Sequence, residues 1–134
     1  HGNALSGART RDRDADGLVD RLGDIVYSKP IEVGPKNGNV NTLDGYANFV
    51  ASRQTQKRVL LVGANDGMLH AFDSSNGREL WAYIPSSQLQ HLERLSRPTY
   101  NTQHRRSYVD GPTVVEDAFI RGQWRTLAMF GLRT

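Results

Sequence analysis

The sequence predicts a mainly β protein made of antiparallel meanders, with one or two short helices. Three observations predict it. The apolar runs Arg58–Gly63, Met68–Asp73 and Glu79–Ile84 follow one another across Asn65-Asp66-Gly67 and Ser74-Ser75-Asn76-Gly77. Asp-Gly and Asn-Gly supply the positive φ that tight turns between antiparallel strands need. A second pair of runs, Pro112–Ile120 and Gln123–Phe130, flanks Arg121-Gly122 and reads as a hairpin. Thirteen glycines and five prolines in 134 residues also favour a turn-rich β fold over a helical bundle.

The remaining elements follow in chain order. Residues 1–11 are small and polar, a poorly ordered lead-in, and residues 12–24 hold five aspartates. Ile25–Val33 is β-branched and broadly alternating, so it is expected to be a strand, with Pro30 placing it at an edge or a bulge. Pro35–Leu43 is a Gly/Asn/Pro loop, and Tyr46, Phe49 and Val50 have the spacing of a short amphipathic helix. After Pro85, the threefold spacing of Leu89, Leu92 and Leu95 predicts a second short helix over 86–96, with Ser86 or Ser87 as its N-cap. Residues 97–111 are loop. Two partial four-stranded sheets in succession mark a repeat architecture such as a β-propeller, whose blades cover one another's apolar faces. With His1 at its start, the chain reads as a piece of something longer. The expected division is an Asp-rich lead-in over 1–21 and about one and a half propeller blades over 22–134.

Composition excludes several classes. Hydrophobic residues at 37% and charged residues at 23% are a globular mix. The absence of cysteine excludes disulfides, thiolate zinc sites and a cysteine nucleophile. No apolar run approaches the roughly 20 residues that span a bilayer. The formal net charge is +3, with the basic residues scattered. The densest cluster, His104-Arg105-Arg106 near Tyr100 and Tyr108, suits a small base-stacking patch or, more simply, a solvated loop. No recognition helix or RNP-like motif accompanies it, so nucleic acid is not an expected partner. No P-loop, GxGxxG or G-x-S-x-G motif is present.

The run Ala64-Asn65-Asp66-Gly67-Met68-Leu69-His70-Ala71-Phe72-Asp73, with Asn76-Gly77-Arg78-Glu79-Leu80-Trp81-Ala82-Tyr83-Ile84-Pro85, resembles a blade of the quinoprotein-dehydrogenase-like propellers. Their repeat has the form xxDGxLxAxDxxTGxxxWxY. On either side lie Leu22-Gly23-Asp24-Ile25-Val26-Tyr27-Ser28-Lys29-Pro30 and Tyr108-Val109-Asp110-Gly111-Pro112-Thr113-Val114, followed by Trp124-Arg125-Thr126. In this order the strings resemble the C-terminal propeller of the PilC/PilY family of type IV pilus assembly factors and tip adhesins. The resemblance spans about residues 22 to 132, with one departure where Gly111 directly precedes Pro112. It implies a large, non-enzymatic protein exported to the bacterial cell surface and associated with the outer membrane and the pilus. Its expected partners are pilus subunits or minor pilins and host or abiotic surfaces.

One segment has the pattern of a metal loop. Asp12-Arg13-Asp14-Ala15-Asp16-Gly17-Leu18-Val19-Asp20 fits DxDxDGxxD, the first nine positions of a calcium loop. Asp12, Asp14 and Asp16 would supply carboxylates, Leu18 its carbonyl, and Asp20 a direct or water-mediated ligand, while Gly17 allows the sharp turn. Position twelve, which should be a bidentate acid, is Gly23, and Arg13 and Arg21 reduce the local negative charge. The alternative is a solvated Asp/Arg linker. The resembled family carries a related Asp-rich calcium loop that governs pilus retraction, but later in its propeller, so the pattern carries over and the alignment does not.

Other polar residues have simpler expected roles. Asp24, Asp66, Asp73 and Asp110 read as turn aspartates. The histidines His1, His70, His91 and His104 include no pair three or four apart, and His70 is expected to be a hydrogen-bonded interface residue. Trp81, Tyr83 and Trp124 are expected to pack blades together. The functional expectation is a pilus biogenesis and adhesion protein, with the Asp-rich loop as its candidate site of regulation by Ca²⁺. The alternative is a fragment of a quinone-cofactor dehydrogenase sharing the blade repeat.

Overall fold

The computed structural model describes residue 17 and residues 22–38, 43–100 and 107–133. The lead-in, apart from Gly17, and the cluster His104-Arg105-Arg106 lie outside the described residues. Three strands follow the predicted turns closely: β2 (Val59–Gly63), β3 (Leu69–Asp73) and β4 (Glu79–Tyr83). With β1 (Ile31–Val33) they form one antiparallel sheet in the order β1-β2-β3-β4, the form of a single propeller blade. Gly67 and Gly77 close the two turns at φ of 90° and 72°, where a side chain would be strained.

The predicted hairpin is also present. β5 (Thr113–Ile120) pairs with β6 (Gln123–Phe130) in unbroken register from Thr113 opposite Phe130 to Ile120 opposite Gln123. Arg121 and Gly122 both take positive φ, 51° and 77°, as a two-residue turn of the primed kind demands. This hairpin packs across β1 and β2. Between the sheets sits the core: Leu61, Leu69, Ala71, Val109 and Val115, bordered by Ile31, Val33, Val59 and Phe130.

Helix α1 (Tyr46–Ser52) is the predicted amphipathic helix, and its Tyr46 is buried. Trp124 ties it to the hairpin, with ring centroids 4.7 Å from Tyr46 and 6.2 Å from Phe49. The second helix begins as a tight turn over Ser86–Gln88 and continues as α2 (Leu89–Ser96). Leu95 is buried and lies with Leu92 against Gly67, whereas Leu89 points outward.

Two expectations need correction. The strand expected over Ile25–Val33 is only Ile31–Val33. Pro30 has no N–H to give a ladder, and the N–H groups of Val26, Tyr27 and Ser28 all turn to one carboxylate instead. The second helix has no side-chain cap from Ser86 or Ser87; it is entered from extended Pro85, whose carbonyl accepts from the Gln88 N–H.

Candidate functional site

The chemistry-bearing residues of this fold are buried acids, and each binds parts of the chain distant in sequence. Asp110 is fully buried. Its Oδ1 accepts from the N–H groups of Val26, Tyr27 and Ser28 at 3.1, 2.9 and 3.2 Å, and its Oδ2 from the Asn65 side chain at 3.2 Å. Three successive N–H groups converging on one oxygen form a backbone nest filled by the chain's own anion. Burial alone would push the Asp110 carboxyl up. The donors from Tyr27, Ser28, Val26 and Asn65 outweigh it and hold the group below the ordinary carboxylate range. The sequence suggested a turn aspartate here; it is instead the clamp between the segment entering β1 and the segment entering β5.

Asp66 does the same from the β2–β3 turn. It accepts from the Met68 N–H within its own turn at 3.1 Å and from the Gly23 N–H, distant in sequence, at 2.8 Å. It also meets His70 Nε2 at 3.0 Å, while His70 Nδ1 lies 2.7 Å from Glu79 Oε1. His70 is therefore hydrogen-bonded, as expected from sequence, and both of its partners belong to its own meander. Burial opposes its charge, but the bonds to Asp66 and Glu79 prevail and raise its pKa, since carboxylates facing both ring nitrogens favour the charged form. Burial likewise pushes Asp66 up, and His70, Gly23 and Met68 bring it down past its ordinary value.

Asp117, on β5, was missed by sequence reasoning. It is buried and accepts from the Asn37 N–H (2.8 Å), Asn37 Nδ2 (3.1 Å), Tyr46 OH (2.9 Å) and Thr126 Oγ1 (2.6 Å), with the Arg53 guanidinium 3.5 Å away. One carboxylate thus joins the loop after β1, helix α1 and both strands of the hairpin. Burial raises the Asp117 carboxyl, and Thr126, Asn37 and Tyr46 lower it further than burial raises it. Tyr46 is pushed up, first by burial and then by its bond to Asp117. Asp73 is the turn aspartate expected: bonds from Ser75 and from Lys57 hold it at about 2.

The aromatic expectations are met unevenly. Trp124 packs on Tyr46, Phe49 and Phe119, and Tyr83 meets Phe130 of the hairpin edge-on at 6.4 Å. Trp81 is 48% exposed, without a ring contact among the described residues.

Of the expected metal ligands, Asp12, Asp14, Asp16, Leu18 and Asp20 lie outside the described residues. Gly17 does show a φ of 83°, the left-handed conformation that position six requires. Gly23 explains the missing acid at position twelve. Its N–H is given to Asp66, and a Cβ there would stand 2.9 Å from the Asp66 Cβ and 3.0 Å from the Asn65 carbonyl carbon, so no side chain fits. Among the described residues, no three acids or histidines are grouped to hold a metal, and no helix is long and apolar enough to cross a membrane.

A four-stranded meander packed on the opening hairpin of a second sheet, with acids stitching the joints, defines a segment of β-propeller. The family model described as the PilY1 beta-propeller domain matches residues 22–134. The chain belongs to the PilY1 β-propeller family. It is 38% identical over 118 residues to the type IV pilus biogenesis factor PilY1 of Pseudomonas aeruginosa, covering 84% of this chain and 10% of that protein. A PilY1 homolog of Xylella fastidiosa is 39% identical over 122 residues, covering 82% of this chain and 8% of that protein. The crystal structure of the Pseudomonas aeruginosa PilY1 C-terminal domain superposes with a TM-score of 0.51 at 35% identity, covering 72% of this chain and 19% of that one. The chain therefore spans about a tenth of the length of the curated relatives it matches.

Proposed function

We propose that this chain is a non-catalytic scaffold segment of a type IV pilus biogenesis factor carried on the bacterial cell surface. The observation that carries the reading is the use made of the buried acids. Asp66, Asp110 and Asp117 each spend their lone pairs on donors of the chain itself, which fixes the loops at the blade joints. Acids committed in this way give stiffness, and catalysis would need a carboxylate free to meet a substrate. The relatives bear the name of pilus biogenesis factors, which supplies the role: supporting pilus assembly through contact with pilus subunits or minor pilins. Attachment to host or abiotic surfaces belongs to the same reading, through surface loops carried on a rigid scaffold. A quinone-cofactor dehydrogenase, the alternative raised by the blade repeat, is not the family to which the chain belongs.

Calcium fits as a regulator. Bound by Asp12, Asp14, Asp16, the Leu18 carbonyl and Asp20, Ca²⁺ would anchor the lead-in immediately before Leu22, the residue from which the clamped segment starts. Stabilisation would then grow with free calcium above Kd. The test uses the full-length parent protein in a strain lacking its own copy. Surface pili should return with the intact protein and fail with residues 22–133 deleted. Titration of the purified protein should show calcium heat that disappears in the Asp12→Ala/Asp16→Ala double variant. Pili unaffected by the deletion would contradict the scaffold, and unchanged heat in the double variant would remove calcium from this loop.

A further inference from the structure

We propose that the β3–β4 turn is a self-modifying site, where Asn76 cyclises onto the backbone nitrogen of Gly77 and loses its amide. The chain holds two Asn-Gly pairs within the described residues, Asn37-Gly38 and Asn76-Gly77, and the fold treats them oppositely. Asn37 is buried. Its Oδ1 accepts from the Gly34 N–H at 3.0 Å, and its Nδ2 donates to the Gly34 carbonyl at 2.9 Å and to Asp117 at 3.1 Å. That amide is held at both its oxygen and its nitrogen. Asn76 is exposed, and its Oδ1 accepts from the Arg78 N–H at 2.9 Å. This bond reaches two residues forward, so the side-chain carbonyl lies across the intervening Gly77 peptide in the manner of an Asx turn. The Asn76 amide therefore sits exposed in the turn, next to a glycine.

The neighbouring groups suit the chemistry. Gly77 has no side chain to obstruct ring closure and sits at φ 72° with open space around it. The Gly77 nitrogen, after losing its proton to hydroxide, bonds to the Asn76 side-chain carbon. The charge that gathers on Oδ1 is met by the Arg78 N–H already bonded there, an electrostatic aid of the oxyanion-hole type. The bond from the side-chain carbon to Nδ2 then breaks, and ammonia leaves with protons from water. Water next opens the resulting succinimide at either carbonyl, giving aspartate or isoaspartate, so that the net change is one water taken up for one ammonia released. The Gly77 N–H is held by the Asp73 carbonyl at 2.8 Å, so each event waits on an opening of the turn. The isoaspartate product lengthens the backbone of this turn by one carbon and adds a negative charge between Asp73 and Arg78.

The two asparagines provide an internal comparison. The full chain is incubated in mildly alkaline buffer, and amide-to-acid conversion is followed by peptide mapping, with an isoaspartyl methyltransferase assay for the isomer. In the native protein, conversion at Asn76 should exceed that at Asn37 by about tenfold or more, the advantage expected where one amide sits in an exposed turn that opens locally and the other is buried and locked. In denaturant the two rates should converge, since both residues precede glycine. Asn76→Gln should abolish methyl acceptance by this peptide. Equal or faster conversion at Asn37 in the native protein would overturn the proposal. So would a native Asn76 that stays intact while the denatured chain converts, or a preference for Asn76 that persists in denaturant.

Discussion

Replacing Asp110 by alanine should release the segment that enters the first strand. In the folded protein its carboxylate satisfies the N–H groups of Val26, Tyr27 and Ser28 and the side chain of Asn65. A buried donor left without a partner costs about 1–3 kcal/mol. Val26 and Tyr27 are each 57% exposed, so water can reach their backbone once the segment loosens, whereas Ser28 is 5% exposed and keeps the full penalty. Adding the partly buried Asn65 and the space left by the side chain gives a loss of about 3–5 kcal/mol. Asp110→Asn keeps an acceptor oxygen and the shape, and should cost about 1–2 kcal/mol. The assay is denaturant unfolding of the intact propeller, combined with amide hydrogen exchange at residues 26–28. Both variants should accelerate exchange there, alanine much more than asparagine. Unchanged protection of Tyr27 and Ser28 in Asp110→Ala would refute the reasoning, because the segment would then be held by something else. The pH dependence has a definite sign. A carboxyl whose folded pKa is depressed contributes stability above its unfolded value of about 3.9, and that contribution is lost as pH falls through the folded value.

Other predictions follow from the same contacts. Tyr46→Phe removes a single bond to Asp117 and should cost about 1 kcal/mol in denaturant unfolding, whereas Asp117→Ala strands donors from the loop after β1, from helix α1 and from β6 and should cost about 3–5 kcal/mol. His70, faced by Asp66 and Glu79, has a raised pKa, so its contribution is complete below about pH 6.5 and is lost as pH rises through the folded value. A wild-type unfolding curve that loses stability on the alkaline side, with His70→Gln lacking that loss, would bear this out; parallel curves would not. Gly63→Ala drives a Cβ into the Val109 backbone and should cost about 3 kcal/mol or more, while Gly122→Ala meets only the strain of its positive φ and should cost about 1 kcal/mol. Thermal unfolding of the pair would expose an error if the order were reversed.

What the sequence reveals and what it hides divide along contact distance. The turns at Asp66-Gly67, Asn76-Gly77 and Arg121-Gly122 were legible because the positive φ and the glycine that permits it are neighbours in the chain. Helix α1 was legible from the spacing of Tyr46, Phe49 and Val50. The acids were misread for the opposite reason. Asp110 adjoins a glycine and looks like a turn residue, yet its backbone partners stand 82 to 84 positions earlier. Asp117 interrupts an apolar strand, and nothing nearby explains a charge on the inward face. A charge at an inward position of a strand was the available signal that a long-range partner must exist. The overextended first strand is the same error seen from the other side, since Val26 to Ser28 have strand-like side chains but give their N–H groups to Asp110. Gly23 ties the two halves of the reading together. It breaks the calcium-loop pattern at position twelve because the blade needs its N–H and its bare Cα against Asp66.

If these carboxylates serve the pilus by holding the propeller together, piliation must follow the stability of the fold. The measurement that tests it most directly is surface piliation across a temperature series in cells expressing full-length Asp110→Ala, set beside the unfolding curve of the same purified protein. Pili should form at low temperature and be lost in step with the lowered unfolding transition. Pili absent at temperatures where the variant propeller is still folded would contradict it, because the carboxylate would then act in some way other than through the fold.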